Sequence, residues 1–347
     1  MTFRFITSTP QDITRGSGTY VGISVLAGAL RDLGHQVDFE SPHRHFPVYT
    51  AERLWFNHSL RPSPQHDITV GYDMDGYRIA GEPGHVASLK GVIADEVRFE
   101  SGLTRATMSV QARCERLHVR RASRVVVTSR YSGERAQEMY GLGSFPTVVP
   151  ELIDLQAWRR HLDVATSGEP ARFTVLYVGR FYRRKRVNLL LDAAAAMRSA
   201  IPGLEIRIVG NGPCDAAWRA HSARLKLEQT VTWLGDISRA DLASEYKRAD
   251  VFCLPSVQEG FGIVLLEAMA AGKAIVAARA AAIPEVVPHA TLVEPESAGA
   301  LAEGILDLYA SPALRSGQSA QGLVRVEEFD APRVARSFVD AVSGRSA

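Results

Sequence analysis

Short apolar runs alternate along this chain with longer stretches in which apolar residues recur every three or four positions. In the first half the runs fall at 3–7 (FRFIT), 35–39 (HQVDF), 67–71 (DITVG), 86–89 (VASL) and 124–129 (RVVVTS). In the second half they fall at 173–178 (FTVLYV), 204–209 (LEIRIV), 230–234 (TVTWL), 250–254 (DVFCL), 274–277 (AIVA) and 291–294 (TLVE). Bounded by glycine, proline or polar residues, such runs predict buried strands. Helical spacing is clear for Val21, Val25, Leu26, Ala29, Leu30 and Leu33, with Gly34 as the stop. It recurs for Leu189, Leu190, Ala193 and Met197, and in a last amphipathic helix over 332–342. Strand–helix alternation predicts an α/β protein, and the six second-half strands predict a doubly wound parallel sheet. The segment 41–65, rich in proline, histidine and aromatics, has no clean period and reads as a loop region that contacts a substrate.

At 347 residues the chain has room for two domains, and 166–170 (TSGEP) has linker composition. Hydrophobic and charged fractions of 46% and 22% are those of a globular protein, and a net charge of +2 gives no case for nucleic acid as partner. Cys114, Cys214 and Cys253 are odd in number and widely spaced, which argues against a disulfide framework and fits a reducing cytoplasm. The start MTFRFITSTPQD lacks the pattern of a signal peptide. The most apolar span, 263–283, is interrupted by Glu267, Lys273 and Arg279, too often for a membrane helix.

The chemistry concentrates in 256–272 (SVQEGFGIVLLEAMAAG). Glu259 falls in a loop after a strand, Gly260 and Gly262 bracket Phe261, and a helix starting near Gly262 and Ile263 carries Glu267. A helix start offers unpaired N–H groups to an anion. Carboxylates do not bind phosphate, but they accept hydrogen bonds from sugar hydroxyls. Together they suggest a nucleotide sugar. After the strand 173–178, Arg180 and Lys185 place two cations at a strand end, where arginine clamps phosphate oxygens and lysine adds a point charge. Asp73 and Asp75 form a D-x-D that a divalent ion on a diphosphate would use, and a polar strand-end loop is the plainer reading. His43 and His45 form a His-x-His pair without a completing ligand nearby. Arg113, Arg116, Arg120 and Arg124 would share one helix face if the helix ran that far, either solvated beside Glu115 or touching anionic lipid.

The Glu-x7-Glu segment, with the Gly-Arg…Lys element, resembles the signature of the retaining GT-B glycosyltransferases of family four, the glycosyl transferases group 1. Similarity is dense over 173–293 and thinner before 154. The resemblance implies two Rossmann-like doubly wound domains facing across a cleft: an acceptor-binding domain (1–165), a donor-binding domain (166–325), and a terminal helix (326–347) returning to the first. It implies a metal-independent hexosyltransferase, cytoplasmic with a peripheral contact at the inner membrane face, of the kind used in polysaccharide biosynthesis. Such an enzyme moves a sugar from a UDP- or GDP-sugar to a hydroxyl of a glycan, lipid-linked or small-molecule acceptor, with no cofactor. Arg180 and Lys185 would hold the diphosphate, together with the Gly16–Gly18 loop. Glu259 would hold the sugar beside Gly260, Phe261, Gly262 and Ile263, and Glu267 the ribose. Gly210 and Gly235 would border the nucleotide, with Asp236 as a ligand or a helix cap. The family leaves its first domain through a strand and a Pro-x-x-x-Asp turn, here Pro150 to Asp154. On the acceptor side stand Asp73 and Lys90, the latter where the family often places a histidine; His85 is the alternative for that role. A GT-B sugar-nucleotide epimerase and a non-catalytic nucleotide-sugar-binding subunit are the competing readings.

Overall fold

The structure, a computed structural model, describes residues 1–9, 18–44, 46–166 and 172–344. Gly16, His45 and the linker 167–170 lie outside the described residues. The described chain divides into two compact units, residues 1–152 with 331–344, and 153–330.

The first unit is built on six parallel strands: β1 (Thr2–Ile6), β2 (Gln36–Glu40), β3 (Ile68–Tyr72), β4 (His85–Leu89), β5 (Arg124–Val127) and β6 (Thr147–Val148), ordered β2-β1-β3-β4-β5-β6. Helix Gly18–Asp32 buries Ile23, Leu26, Ala27, Ala29 and Leu30; Leu26, Ala29 and Leu30 lie on the expected face, whereas Val21, Val25 and Leu33 are half-buried and Ile23 and Ala27 turn inward instead. Helix Ala331–Ser343 completes the same layer through Val334, Phe338 and Val342, packing with Phe3, Leu26 and Val70.

The segment 49–59, read from sequence as loop, is a helix (Tyr49–Ser59). Its buried positions include Thr50, Glu52, Arg53 and Asn57, while Tyr49 and Trp55 are exposed. The polar side faces inward, so apolar periodicity could not announce it.

The second unit carries β7 (Thr174–Val178), β8 (Glu205–Val209), β9 (Val231–Gly235), β10 (Val251–Leu254), β11 (Ala274–Ala278) and β12 (Thr291–Val293), all parallel, ordered β12-β11-β10-β7-β8-β9. Strands β7, β10 and β11 are buried throughout, which is why they read as unbroken apolar runs. The unit begins at Ile153 rather than at 166, because helix Leu155–Val164 buries Trp158 in this unit's core. It ends at Asp330 rather than 325, because Val326 and Phe329 belong to that core too.

Candidate functional site

In a doubly wound sheet the strand order reverses at one place, and the loops leaving the two strands there diverge to open a crevice. In the second unit that place lies between β7 and β10. The loop after β7 carries Arg180 and Lys185; the loop after β10 carries Glu259. The backbone joins the loops, Val257 N–H donating to the Arg184 carbonyl at 2.9 Å. Lys185 Nζ then reaches Glu259 Oε1 at 2.6 Å, with both side chains largely buried.

Arg180 is tied along the other strand ends. Its Nη1 donates to Asn211 Oδ1 at 2.7 Å, and the Asn211 amide donates to Asp236. Asp236 is therefore engaged by Asn211 and does not cap the next helix; Ser238 does, accepting from Asp241 N–H at 3.1 Å. The Arg180–Asn211–Asp236 chain links the carboxyl ends of β7, β8 and β9, a side-chain role that the place of Asn211 between Gly210 and Gly212 does not announce.

The glycines divide into two kinds. Gly262 caps helix Ile263–Ala270 at φ +93°, leaving the first N–H groups of that helix without a side-chain cap. Gly210 has φ +118°, and a Cβ there would sit 2.1 Å from the Gly179 carbonyl oxygen, so its need is steric. Its N–H donates to the Gly235 carbonyl at 2.7 Å, drawing the two expected nucleotide-border glycines together. Phe261 turns its ring into the core, edge-on to Phe329 at 5.5 Å, which leaves its backbone as the part available to a ligand. Ile263 and Gly260 are half-buried.

Glu267 is buried, and each carboxylate oxygen has a partner. Arg239 Nη1 donates to Oε1, and the Tyr246 hydroxyl shares its proton between Oε2 at 3.2 Å and the Val264 carbonyl at 3.1 Å. Trp158 Nε1 donates to the Glu267 backbone carbonyl at 3.2 Å, and the Arg239 guanidinium lies 4.4 Å from the centre of the Trp158 ring. Burial and the nearby carboxylate push the Tyr246 hydroxyl well above its usual range, keeping it protonated and a donor. Tyr177 Oη, Ser256 Oγ and Gln258 Oε1 are buried without a hydrogen-bond partner, and the Glu259 charge adds to burial in pushing the Tyr177 hydroxyl up. None of these carries a family signature.

The first unit reverses between β1 and β3. There, Asp75 accepts from Ser8 N–H and Ser8 Oγ at 2.7 Å each, from Arg53 at 3.2 Å and from Asn57 at 3.0 Å. Both of its oxygens are occupied under a buried guanidinium. Asp73 accepts the Lys90 N–H at 2.8 Å with its backbone at φ +54°. Burial lifts its carboxyl to about 6, partly offset by Arg53. The donor set of the D-x-D does not fit a divalent ion, and the pair serves the strand-end turn.

Lys90 does stand at the carboxyl end of β4, but in a buried ion pair with Glu151 at 3.0 Å and 5.6 Å from the Tyr72 ring centre. His85 is at the opposite end of the strand and cannot fill the family's histidine position. It packs on His118, Nε2 to Nε2 at 2.8 Å, while His118 Nδ1 lies 2.6 Å from the Asp73 carbonyl. Burial and the neighbouring ring push His85 down to about 2, and burial pushes His118 down to about 4.

Arg113, Arg116 and Arg120 are exposed on helix Gly102–Arg121, but that helix ends before Arg124, which opens β5 and donates to the Val342 carbonyl at 2.6 Å. Glu115, expected as a solvent neighbour, is buried and accepts from Ile93 N–H at 2.8 Å and from Tyr140.

Two parallel six-stranded units with charged strand-end loops define a GT-B fold, and comparison with known proteins agrees. Sucrose-phosphate synthase from Thermosynechococcus elongatus superposes with a TM-score of 0.80 at 22% identity, covering 99% of this chain and 98% of that one. Anabaena HepE, solved with UDP and glucose, gives 0.73 at 18% identity, covering 99% and 100%. Residues 164–322 match the family model for glycosyl transferases group 1. A relative named phosphatidyl-myo-inositol mannosyltransferase, from Mycobacterium tuberculosis, is 34% identical over 226 residues, 61% of this chain and 58% of its own length. The chain thus spans little more than half of that relative. Among the described residues, no helix is long and apolar enough to cross a membrane.

Proposed function

We propose that the chain is a retaining, metal-independent glycosyltransferase of the hexosyltransferase type, moving a sugar from a UDP- or GDP-sugar to an acceptor hydroxyl. The observation that carries this is the Lys185–Glu259 contact at the β7/β10 reversal. It joins a cation suited to a diphosphate and a carboxylate suited to sugar hydroxyls within one hydrogen bond. The match of residues 164–322 to the glycosyl transferases group 1 model and the resemblance to a UDP-bound neighbour support the donor class.

Breaking the anomeric C–O bond leaves negative charge on the departing β-phosphate. Arg180, Lys185 and the open N–H groups at the start of helix Ile263–Ala270 are already fixed to stabilise that charge, so little reorganisation is needed when it forms. Glu259 orients the sugar, and Glu267 accepts from the ribose. The acceptor proton goes to the leaving phosphate, and no nucleophilic side chain is invoked. Acceptors are glycan, lipid-linked or small-molecule hydroxyls, bound on the first unit near Asp73 and Lys90. Arg113, Arg116 and Arg120, with exposed Leu103, Val110 and Leu117 on the same helix, would make a weak peripheral contact with an anionic membrane.

Thermal-shift screening with UDP-, GDP- and ADP-sugars, followed by product analysis across an acceptor panel, tests the reading. Stabilisation by one donor and transfer that Glu259→Ala abolishes is the expected result. Conversion of the donor alone would instead favour an epimerase, and binding without turnover a non-catalytic subunit. Activity should survive EDTA; a strict Mn²⁺ requirement would overturn the metal-independent assignment.

A further inference from the structure

Glu267 poses a physical problem that the proposed function does not solve. A carboxylate this buried loses most of its hydration, and leaving it unpaired would be costly. Its cation comes from Arg239, 28 residues earlier in the chain, the first residue of helix Arg239–Arg248. Arg239 is held twice: by the carboxylate, and by lying over the Trp158 ring at 4.4 Å. Trp158 is held in turn, through its Nε1–H to the Glu267 carbonyl and an edge-on contact with Tyr246 at 5.7 Å. Tyr246 closes the ring of contacts by donating to Oε2. A side chain stacked and ion-paired in this way is fixed rather than free to swing.

A carboxylate oxygen has two lone pairs, so four acceptor sites are available on Glu267. Arg239 takes one on Oε1 and Tyr246 one on Oε2. One acceptor site therefore remains on each oxygen, a pair spaced for two adjacent hydroxyls. A ribose offers that pair at its 2′ and 3′ carbons; a 2′-deoxyribose offers only one of the two.

We propose that Arg239 is a positioning residue: with Trp158 and Tyr246 it fixes Glu267 as a two-point acceptor for a vicinal diol, and so makes the site select ribonucleoside over 2′-deoxyribonucleoside diphosphate donors. The inference rests on the proposed nucleotide-sugar site and assigns it a donor class. Arg239 does not touch the nucleotide in this account; it acts through Glu267.

The test is calorimetric titration of the whole chain with UDP, GDP and ADP, and with the 2′-deoxy form of whichever binds. Wild type should bind the ribonucleotide about 10- to 100-fold more tightly than its 2′-deoxy form, the scale of one hydrogen bond to a charged group. Arg239→Ala should weaken ribonucleotide binding by a similar factor, leave 2′-deoxynucleotide binding nearly unchanged, and so collapse the ratio. Arg239→Lys, which keeps the charge without the flat stack, should restore part of it. In turnover, Arg239→Ala should raise the donor KM with kcat largely kept.

Equal or tighter ribonucleotide binding by Arg239→Ala overturns the inference, because it would make Arg239 a competitor for Glu267. Parallel loss for both nucleotides also overturns it, as a purely structural role. If Arg239→Ala does not fold, Tyr246→Phe removes one fixed contact without removing the ring, and an unchanged ratio there counts against the proposal. Failure of every nucleotide to bind wild type would sink the proposed function itself, and this inference with it.

Discussion

The two units share an architecture and differ in what they do with charge at the place where strand order reverses. In the first, the charged groups are buried and answer one another: Asp75 with Arg53, Lys90 with Glu151. In the second, Lys185 also answers a carboxylate, Glu259, but Arg180 is half-buried and donates to a neutral amide, and the open helix start at Gly262 stands on the same strand-end edge. A closed network of this kind holds a fold, whereas a partly exposed arginine and uncapped N–H groups are ready to meet a ligand. The same residue types in similar places thus serve opposite ends, and only their partners tell which.

Arg53→Ala probes the first unit most severely. Removing one member of a buried pair leaves an uncompensated charge and costs about 3–5 kcal/mol, so denaturant melts should show a large loss of stability. An unchanged melt would break the comparison. Arg180→Ala should do the reverse in the second unit, lowering turnover by about 10²–10³-fold, on the scale of losing one preorganised donor, with the melt preserved. Steady-state kinetics beside thermal unfolding would separate the two.

The buried histidines give a third, smaller effect. Their folded values lie below the ordinary 6.5, so the unfolded chain binds more protons as pH falls below 6.5. Their contribution is complete above pH 6.5 and is lost as pH drops toward 4 for His118, and further for His85. Asp73, lifted to about 6, works in the opposite sense between its ordinary value and 6. The histidine part is isolated by difference: stability of His118→Gln should depend less steeply on pH than wild type between 6.5 and 4 in urea titrations. Smallest of all, Arg116→Gln on the exposed helix face should change stability by no more than about 0.5 kcal/mol, while lowering binding to anionic vesicles if that face meets lipid.

This contrast also explains what could be read from sequence. Strands β7, β10 and β11 of the second unit are plain because both faces are buried and the apolar runs are unbroken. Arg180, Lys185, Glu259 and Glu267 sit in local patterns with recognisable spacing. Arg239 carried no such signal, since its partners Glu267 and Trp158 are distant in the chain and meet it only after folding. In the first unit, spacing offers two readings, and the plainer one holds. Asp73-x-Asp75 has the look of a metal site, yet Arg53 and Asn57, which occupy Asp75, come from a helix whose buried side is polar. Periodicity finds surfaces that avoid water; it cannot find a polar interior.

Helix Ala331–Ser343 has a consequence for how the protein is made. It lays Val334, Phe338 and Val342 into the core of the first unit, yet all of the second unit is synthesised before it. On the ribosome, the first unit must wait with that seat empty and its apolar lining open while 178 further residues, 153–330, emerge. The second unit is continuous in sequence and can close as soon as it is complete. The unit that begins first therefore finishes last, and a fragment ending at 152 would carry a permanently open seam, prone to associate with other apolar surfaces.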